Sequence, residues 1–143
     1  MEATYSAKMT ALKDIFTAAG FEPTLIPIPP PEHEPTLSVQ IYALRYRSPS
    51  TNANTKEPLL LLHGYPQNSN IYRRLGPALA KSSGRDIVVA DSRGSGQSSA
   101  PKVRNFSGEQ VPGEEVLRTR YSKREMARDM FHVMYIFGDG PSR

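Results

Sequence analysis

Leu59-Leu60-Leu61-Leu62-His63-Gly64-Tyr65-Pro66 decides how this chain is read. Four apolar residues after Pro58 are too few for a free-standing helix. They fit a short strand covered on both faces, as in a parallel sheet flanked by helices. The strand stops at His63-Gly64. Glycine admits backbone conformations that a Cβ forbids, and Pro66 fixes its own φ and has no N–H to donate. A rigid, glycine-opened turn of this kind sets backbone N–H groups at the carboxyl end of a sheet, where ligands bind in open α/β folds.

Downstream of the turn, Ile71, Leu75, Ala78 and Leu79 predict a helix over 69–81, kinked or restarted at Pro77 and closed by Ser82-Ser83-Gly84. Asp86-Ile87-Val88-Val89-Ala90-Asp91 reads as a second buried strand. Strand, helix and strand in this short span make a βαβ unit, expected to be parallel and right-handed. Residues 92–120, rich in Gly, Ser, Pro and Arg, read as a long loop. Ser122 and Glu125 then form an S-x-x-E capping box, and Met126, Met130, Val133, Met134 and Phe137 trace one apolar helix face that ends at Gly138. His132 adjoins that face and reads as structural.

Upstream, Met9, Leu12, Ile15, Phe16 and Ala19 predict an amphipathic helix stopped at Gly20. Pro23, Pro27, Pro29, Pro30, Pro31 and Pro35 forbid regular helix and disfavour a central strand, so this stretch reads as an extended connector. His33 stands between Glu32 and Glu34; a solvated loop histidine is favoured there over a metal ligand. Leu37, Val39 and Ile41 alternate with Ser38, Gln40 and Tyr42, the pattern of a half-buried strand running to about Arg47. A polar loop over 48–57 leads into the Leu59 strand. The expected organisation is an N-terminal helix and Pro-rich connector over 1–35, then an α/β domain over 36–143.

The 143 residues suffice for one domain, with apolar content somewhat low at 38%. With no Cys, disulfides and thiolate metal sites are excluded. No apolar run reaches membrane-spanning length, and Lys8, Lys13 and Asp14 interrupt any signal-peptide core, so a soluble, cytoplasmic protein without membrane contact is expected. The net charge of +4 raises the question of an anionic partner. Arg118, Arg120, Lys123, Arg124 and Arg128 cluster, but Glu114, Glu115, Glu125 and Asp129 are interleaved with them. A solvated helix face is favoured over an anion-binding surface, and no aromatic stacking pattern supports nucleic acid.

Together, Leu59 to Gln67, the segment Asp91-Ser92-Arg93-Gly94-Ser95-Gly96-Gln97-Ser98 and the later Tyr121-Ser122-Lys123-Arg124-Glu125-Met126-Ala127 resemble the N-terminal portion of an α/β-hydrolase, nearest the haloacetate dehalogenase and epoxide hydrolase branch. The resemblance covers roughly residues 36–137. It implies an incomplete α/β-hydrolase fold: the N-terminal strands of a mostly parallel sheet with their flanking helices. It also implies hydrolysis of a small molecule by an aspartate nucleophile through a covalent ester, without cofactor or metal. Haloacid cleavage is favoured, followed by epoxide hydrolysis and then a serine esterase.

Chemistry of this class needs a nucleophile on a strained elbow, an acid and a histidine base, in that chain order. The 143 residues contain neither G-x-S-x-G nor G-x-D-x-G, and the only histidine after the turn, His132, falls mid-helix. No catalytic residue is therefore assigned, and the segment is expected to be inactive alone, as a truncated product would be. The resemblance implies that the Tyr65 backbone N–H supplies one oxyanion-hole donor. His63 and Gly64 would orient the turn, and Pro66 and Gln67 would line the pocket entrance. Asp91, Arg93 and Gly94 read as a structural turn. A dinucleotide site at Gly94-Ser95-Gly96 is disfavoured, because Ser99 replaces the third glycine and Pro101 follows. Without an elbow strand, the Leu59 strand would keep an open edge that invites self-association or a non-catalytic partner.

Overall fold

The computed structural model describes residues 15–50, 56–101 and 120–138. They build a four-stranded sheet in the order β1-β2-β4-β3 from Glu22–Ile28 (β1), Val39–Tyr46 (β2), Leu59–Leu62 (β3) and Ile87–Ala90 (β4). Two helices flank it, Leu75–Ser82 (α1) and Lys123–Phe137 (α2). β3 and β4 pair in parallel, Leu60 opposite Val88, which makes the expected βαβ unit. β1–β2 and β2–β4 are antiparallel, so the four described strands form a mixed sheet, consistent with an incomplete α/β fold.

The connector reading of the proline-rich stretch is also corrected at its start. Glu22–Ile28 pairs along its length with β2, Pro23 opposite Leu44 and Pro27 opposite Gln40. Prolines 23 and 27 share one parity, so the donors they lack fall on the same side of the backbone. A strand at the end of a sheet has one side with nothing to pair, and proline is tolerated there. Inward-facing Ile26 and Ile28 then supply the burial that holds β1 in place. The earlier predicted helix (Ser6 to Ala19) is described only from residue 15 onward, where a helical turn covers 15–18.

Both faces of the sheet are covered, which explains why β2 departs from simple alternation after Gln40. On one face Ile26, Ile28, Val39, Ile41, Ala43, Val88 and Ala90 pack against Met130 and Val133 of α2. On the other, Tyr42, Leu44, Ile87 and Val89 pack against Phe16, Phe21 and Ala80. Fully buried side chains such as Ile41, Ile87 and Val133 each contribute about 1.5–3 kcal/mol relative to exposure. β3 is covered less well. Its leucines are half-buried, Leu62 is 44% exposed, and its outer edge has no partner strand among the described residues.

The helix predicted over 69–81 is two pieces, a 3-10 turn at Ser69–Tyr72 and α1 from Leu75. Pro77 falls in the first turn of α1, where its missing N–H has no intrahelical acceptor to serve. α2 begins as its sequence predicts, with the Ser122 side chain accepting from the Glu125 N–H at 3.2 Å. Its far end is tied to the sheet by Arg45, whose Nη2 donates to the Phe137 carbonyl at 2.6 Å while the guanidinium lies 5.0 Å from the Phe137 ring centroid.

Arg120, just ahead of α2, forks onto the Glu34 carboxylate and ties the loop after β1 to this helix. That hydrogen-bonded guanidinium holds the Glu34 carboxyl below its ordinary value of 4.5. A depressed carboxyl contributes stability above its unfolded pKa and loses it as pH falls through its folded one. Acid titration of unfolding should therefore show a loss that begins near pH 4.5 and is shallower in Glu34→Gln. Equal acid slopes in the two proteins would remove Glu34 from the account.

Candidate functional site

Because β3 and β4 run parallel in register, Leu62 opposite Ala90, their carboxyl ends open side by side. The two turns that follow are joined by His63. Its Nε2 accepts from the Ser92 N–H at 3.0 Å and its Nδ1 meets the Gly64 carbonyl at 3.1 Å. A backbone N–H only donates and a carbonyl only accepts, so these contacts assign the tautomer with Nδ1 as donor and Nε2 as acceptor. Both nitrogens are engaged in holding the turns together.

The loop after β4 is built around Asp91, which is 1% exposed. Its Oδ1 accepts from the Ser69 N–H at 2.7 Å and its Oδ2 from the Gln97 N–H at 2.9 Å, while the Ser98 hydroxyl donates to its carbonyl at 2.6 Å. The Ser98 and Ser99 hydroxyls in turn accept the N–H groups of Tyr42 and Gln40 in the first half of β2. Burial beside the Asp91 carboxylate pushes the Tyr42 hydroxyl up. Gly96, at φ +54°, passes so close that a Cβ there would stand 2.0 Å from Asp91 Oδ2. Gly94, at φ +80°, would place a Cβ 2.7 Å from the Tyr121 ring. These glycines wrap a carboxylate and an aromatic ring, which accounts for Gly94-Ser95-Gly96 without a dinucleotide.

Arg93 turns inward to α2. Its Nε and Nη2 each donate to the Asp129 carboxylate at 2.6 Å, and its Nη1 donates to the Arg120 carbonyl at 2.6 Å. Glu125 approaches the same guanidinium at 3.8 Å. Burial opposes the charge, but the Asp129 carboxylate and Glu125 outweigh it and hold Arg93 above its ordinary value. The reading of a solvated charged face is thus corrected for Glu125 and Asp129, which are buried, and for Arg120, which is paired. Glu114, Glu115 and Arg118 lie outside the described residues.

A cavity of about 320 Å³ opens over these turns. His63, Gly64 and Tyr65 line it from the turn after β3, residues 92–95 from the loop after β4, and Tyr121, Lys123 and Met126 from the start of α2. Of the residues expected at the site, His63, Gly64 and Tyr65 come together here. Pro66 and Gln67 are exposed and lie outside the lining, the Gln67 N–H closing the turn onto the Gly64 carbonyl at 2.8 Å. The reason given for glycine at 64 changes as well. Its φ is not in the left-handed region and a Cβ would meet nothing within 4 Å, so neither the backbone nor a close neighbour requires glycine there.

Among the described residues no hydrogen bond takes up the Tyr65 N–H, and the Tyr65 side chain is 97% exposed. Ser92, Ser95, Tyr121 and Lys123 are lining residues that the pattern alone did not single out for the site; Tyr121 was legible only as part of a motif. His33 and His132 stand away from this cavity, His33 beside Arg124 and Arg128 in another hollow and His132 against the Phe131 ring. No cluster of three potential metal ligands occurs among the described residues. None of their helices is long and apolar enough to cross a membrane.

A parallel βαβ unit with a free N–H and an open cavity at its carboxyl end defines an α/β fold with a site at the strand ends. The sequence model described as alpha/beta hydrolase fold matches residues 57–141, more than half of the chain, and the chain belongs to that family. A fluoroacetate dehalogenase from Burkholderia sp. is 39% identical over 80 residues. That match covers 56% of this chain and 22% of the relative, so the chain spans about a fifth of the relative's length.

Proposed function

We propose that this chain is the N-terminal part of a hydrolase that cleaves the carbon–halogen bond of small haloacids, and that it contributes one oxyanion donor, the Tyr65 N–H. In this reading an aspartate carried on a G-x-D-x-G elbow outside these 143 residues displaces the halide and forms an ester. Water then hydrolyses the ester, and the oxyanion formed in that step is held by Tyr65 N–H and a donor next to the nucleophile. The observation that carries the reading is the Tyr65 N–H, unengaged beside the 320 Å³ cavity where β3 and β4 end. Similarity to a fluoroacetate dehalogenase supports haloacid rather than epoxide or carboxylic ester as substrate. The open edge of β3 would receive the elbow strand; in the chain alone it is the route to self-association.

The test joins residues 1–138 to the remainder of the Burkholderia enzyme and follows fluoride release from fluoroacetate. Turnover is expected. Tyr65→Pro, which removes the N–H, should lower kcat about 10²–10³-fold, whereas Tyr65→Ala, which keeps it, should lower it far less. Equal losses in the two variants would place the oxyanion donor elsewhere.

A further inference from the structure

We infer that two copies of this chain join through the outer edge of β3, as an antiparallel two-fold pair centred on Leu60. The inference goes beyond the haloacid reading and does not depend on it. The Leu59 N–H donates to the Asp86 carbonyl at 2.9 Å, so Leu59 turns its backbone groups to β4. Successive residues of a strand point their N–H and C=O groups to opposite sides. Leu61 therefore also serves β4, while Leu60 and Leu62 turn outward. By the same alternation Pro58 offers a carbonyl on the outer side and, being proline, no N–H. The Leu62 carbonyl is already taken by the Tyr72 hydroxyl. Among the described residues, the edge thus leaves open the Pro58 carbonyl, both backbone groups of Leu60 and the Leu62 N–H.

This set is its own complement. With Leu60 opposite Leu60 of the second copy, the two residues exchange both N–H···O bonds, and each Leu62 N–H meets the Pro58 carbonyl across the axis. The donor that Pro58 lacks is the one that the Leu62 carbonyl, bonded to Tyr72, no longer needs. Charge agrees with this register. Glu57 falls opposite His63 of the second copy and Lys56 opposite its Gly64, so no like charges meet. The strand Leu59–Leu62 itself carries no charge or proline to repel a partner. α1 packs over β4 and α2 over β1 and β2, so the half-buried leucines of β3 keep apolar surface that a second copy can cover. The assembly closes at two, because its outer edges are then the two β1 strands, where Pro23 and Pro27 remove outward donors.

The test is sedimentation equilibrium of the purified 143-residue chain at about 100 µM, a concentration that suits interfaces below about 1,200 Å², which are weak. The expected species has twice the 15.9 kDa mass of the chain. Leu62→Pro removes an outward N–H that β4 does not use. It should raise the dimer dissociation constant at least about tenfold, and Leu62→Ala far less. The register is read separately with single cysteines, since the chain has none of its own. Leu60→Cys sets two thiols on Cα atoms about 5.5 Å apart across the axis, within disulfide reach, so mild oxidation should give a covalent dimer. Leu25→Cys, exposed on β1, should not crosslink. Circular dichroism checks that each variant folds, and the cysteine pair decides the register even if Leu62→Pro does not. A monomer at that concentration, a ladder of higher species, equal affinities of Leu62→Pro and Leu62→Ala, or crosslinking at Leu25 but not at Leu60 would each overturn the proposal. Fluoride release by the joined protein is a separate readout, so failure of the haloacid reading is told apart from failure of the dimer.

Discussion

Asp129→Ala should destabilise the chain by about 3–5 kcal/mol, because it strands a guanidinium in the interior. The Arg93 side chain is 1% exposed and Asp129 fully buried, and the pair is joined by two parallel hydrogen bonds. With Asp129 gone, the nearest acid is Glu125 at 3.8 Å, too far to take over the fork. A loss of this size is a large share of the roughly 5–15 kcal/mol that holds an ordinary domain folded. The urea midpoint should fall sharply or the cooperative transition vanish. Because the cost comes from the orphaned charge, the double variant Arg93→Met/Asp129→Leu should recover most of it. A double variant no more stable than Asp129→Ala would mean that the pair does more than neutralise itself.

Gly96→Ala should cost a comparable amount, about 3–5 kcal/mol, from two sources that add. At φ +54° any L side chain pays about 1–2 kcal/mol for the left-handed backbone. The new Cβ would also sit 2.0 Å from Oδ2 and 2.4 Å from Cγ of Asp91, so the carboxylate must leave. Its departure frees the buried N–H of Ser69, worth about 1–3 kcal/mol without a partner, while the N–H of the exposed Gln97 turns to water and adds less. Gly64→Ala is the internal control. It has no close neighbour and no positive φ, so its thermal midpoint should stay near wild type. Equal effects at 64 and 96 would refute the packing described around Asp91.

The elements that sequence makes legible are those whose signal is local. Leu59–Leu62 and Ile87–Ala90 are bounded apolar runs, and Lys123–Phe137 carries its own cap and apolar face. The His63-Gly64-Tyr65 turn is legible because a glycine and a proline punctuate it. β1 is hidden by its prolines, which argue against a strand unless the strand is known to lie at an edge, and edge position is a property of the whole sheet. The Arg93–Asp129 pair is hidden for a related reason. Its members are 36 residues apart, and charges on a helix read as solvated until a partner from another loop is placed against them.

The most direct test of the account is fluoride release by the purified 143-residue chain incubated with fluoroacetate. A chain that contributes the Tyr65 donor but no nucleophile elbow should release no fluoride beyond the buffer control, under conditions where the joined protein turns over. Sustained release by the chain alone, abolished by substitution of a residue within it, would show that it carries a nucleophile of its own and would contradict the account.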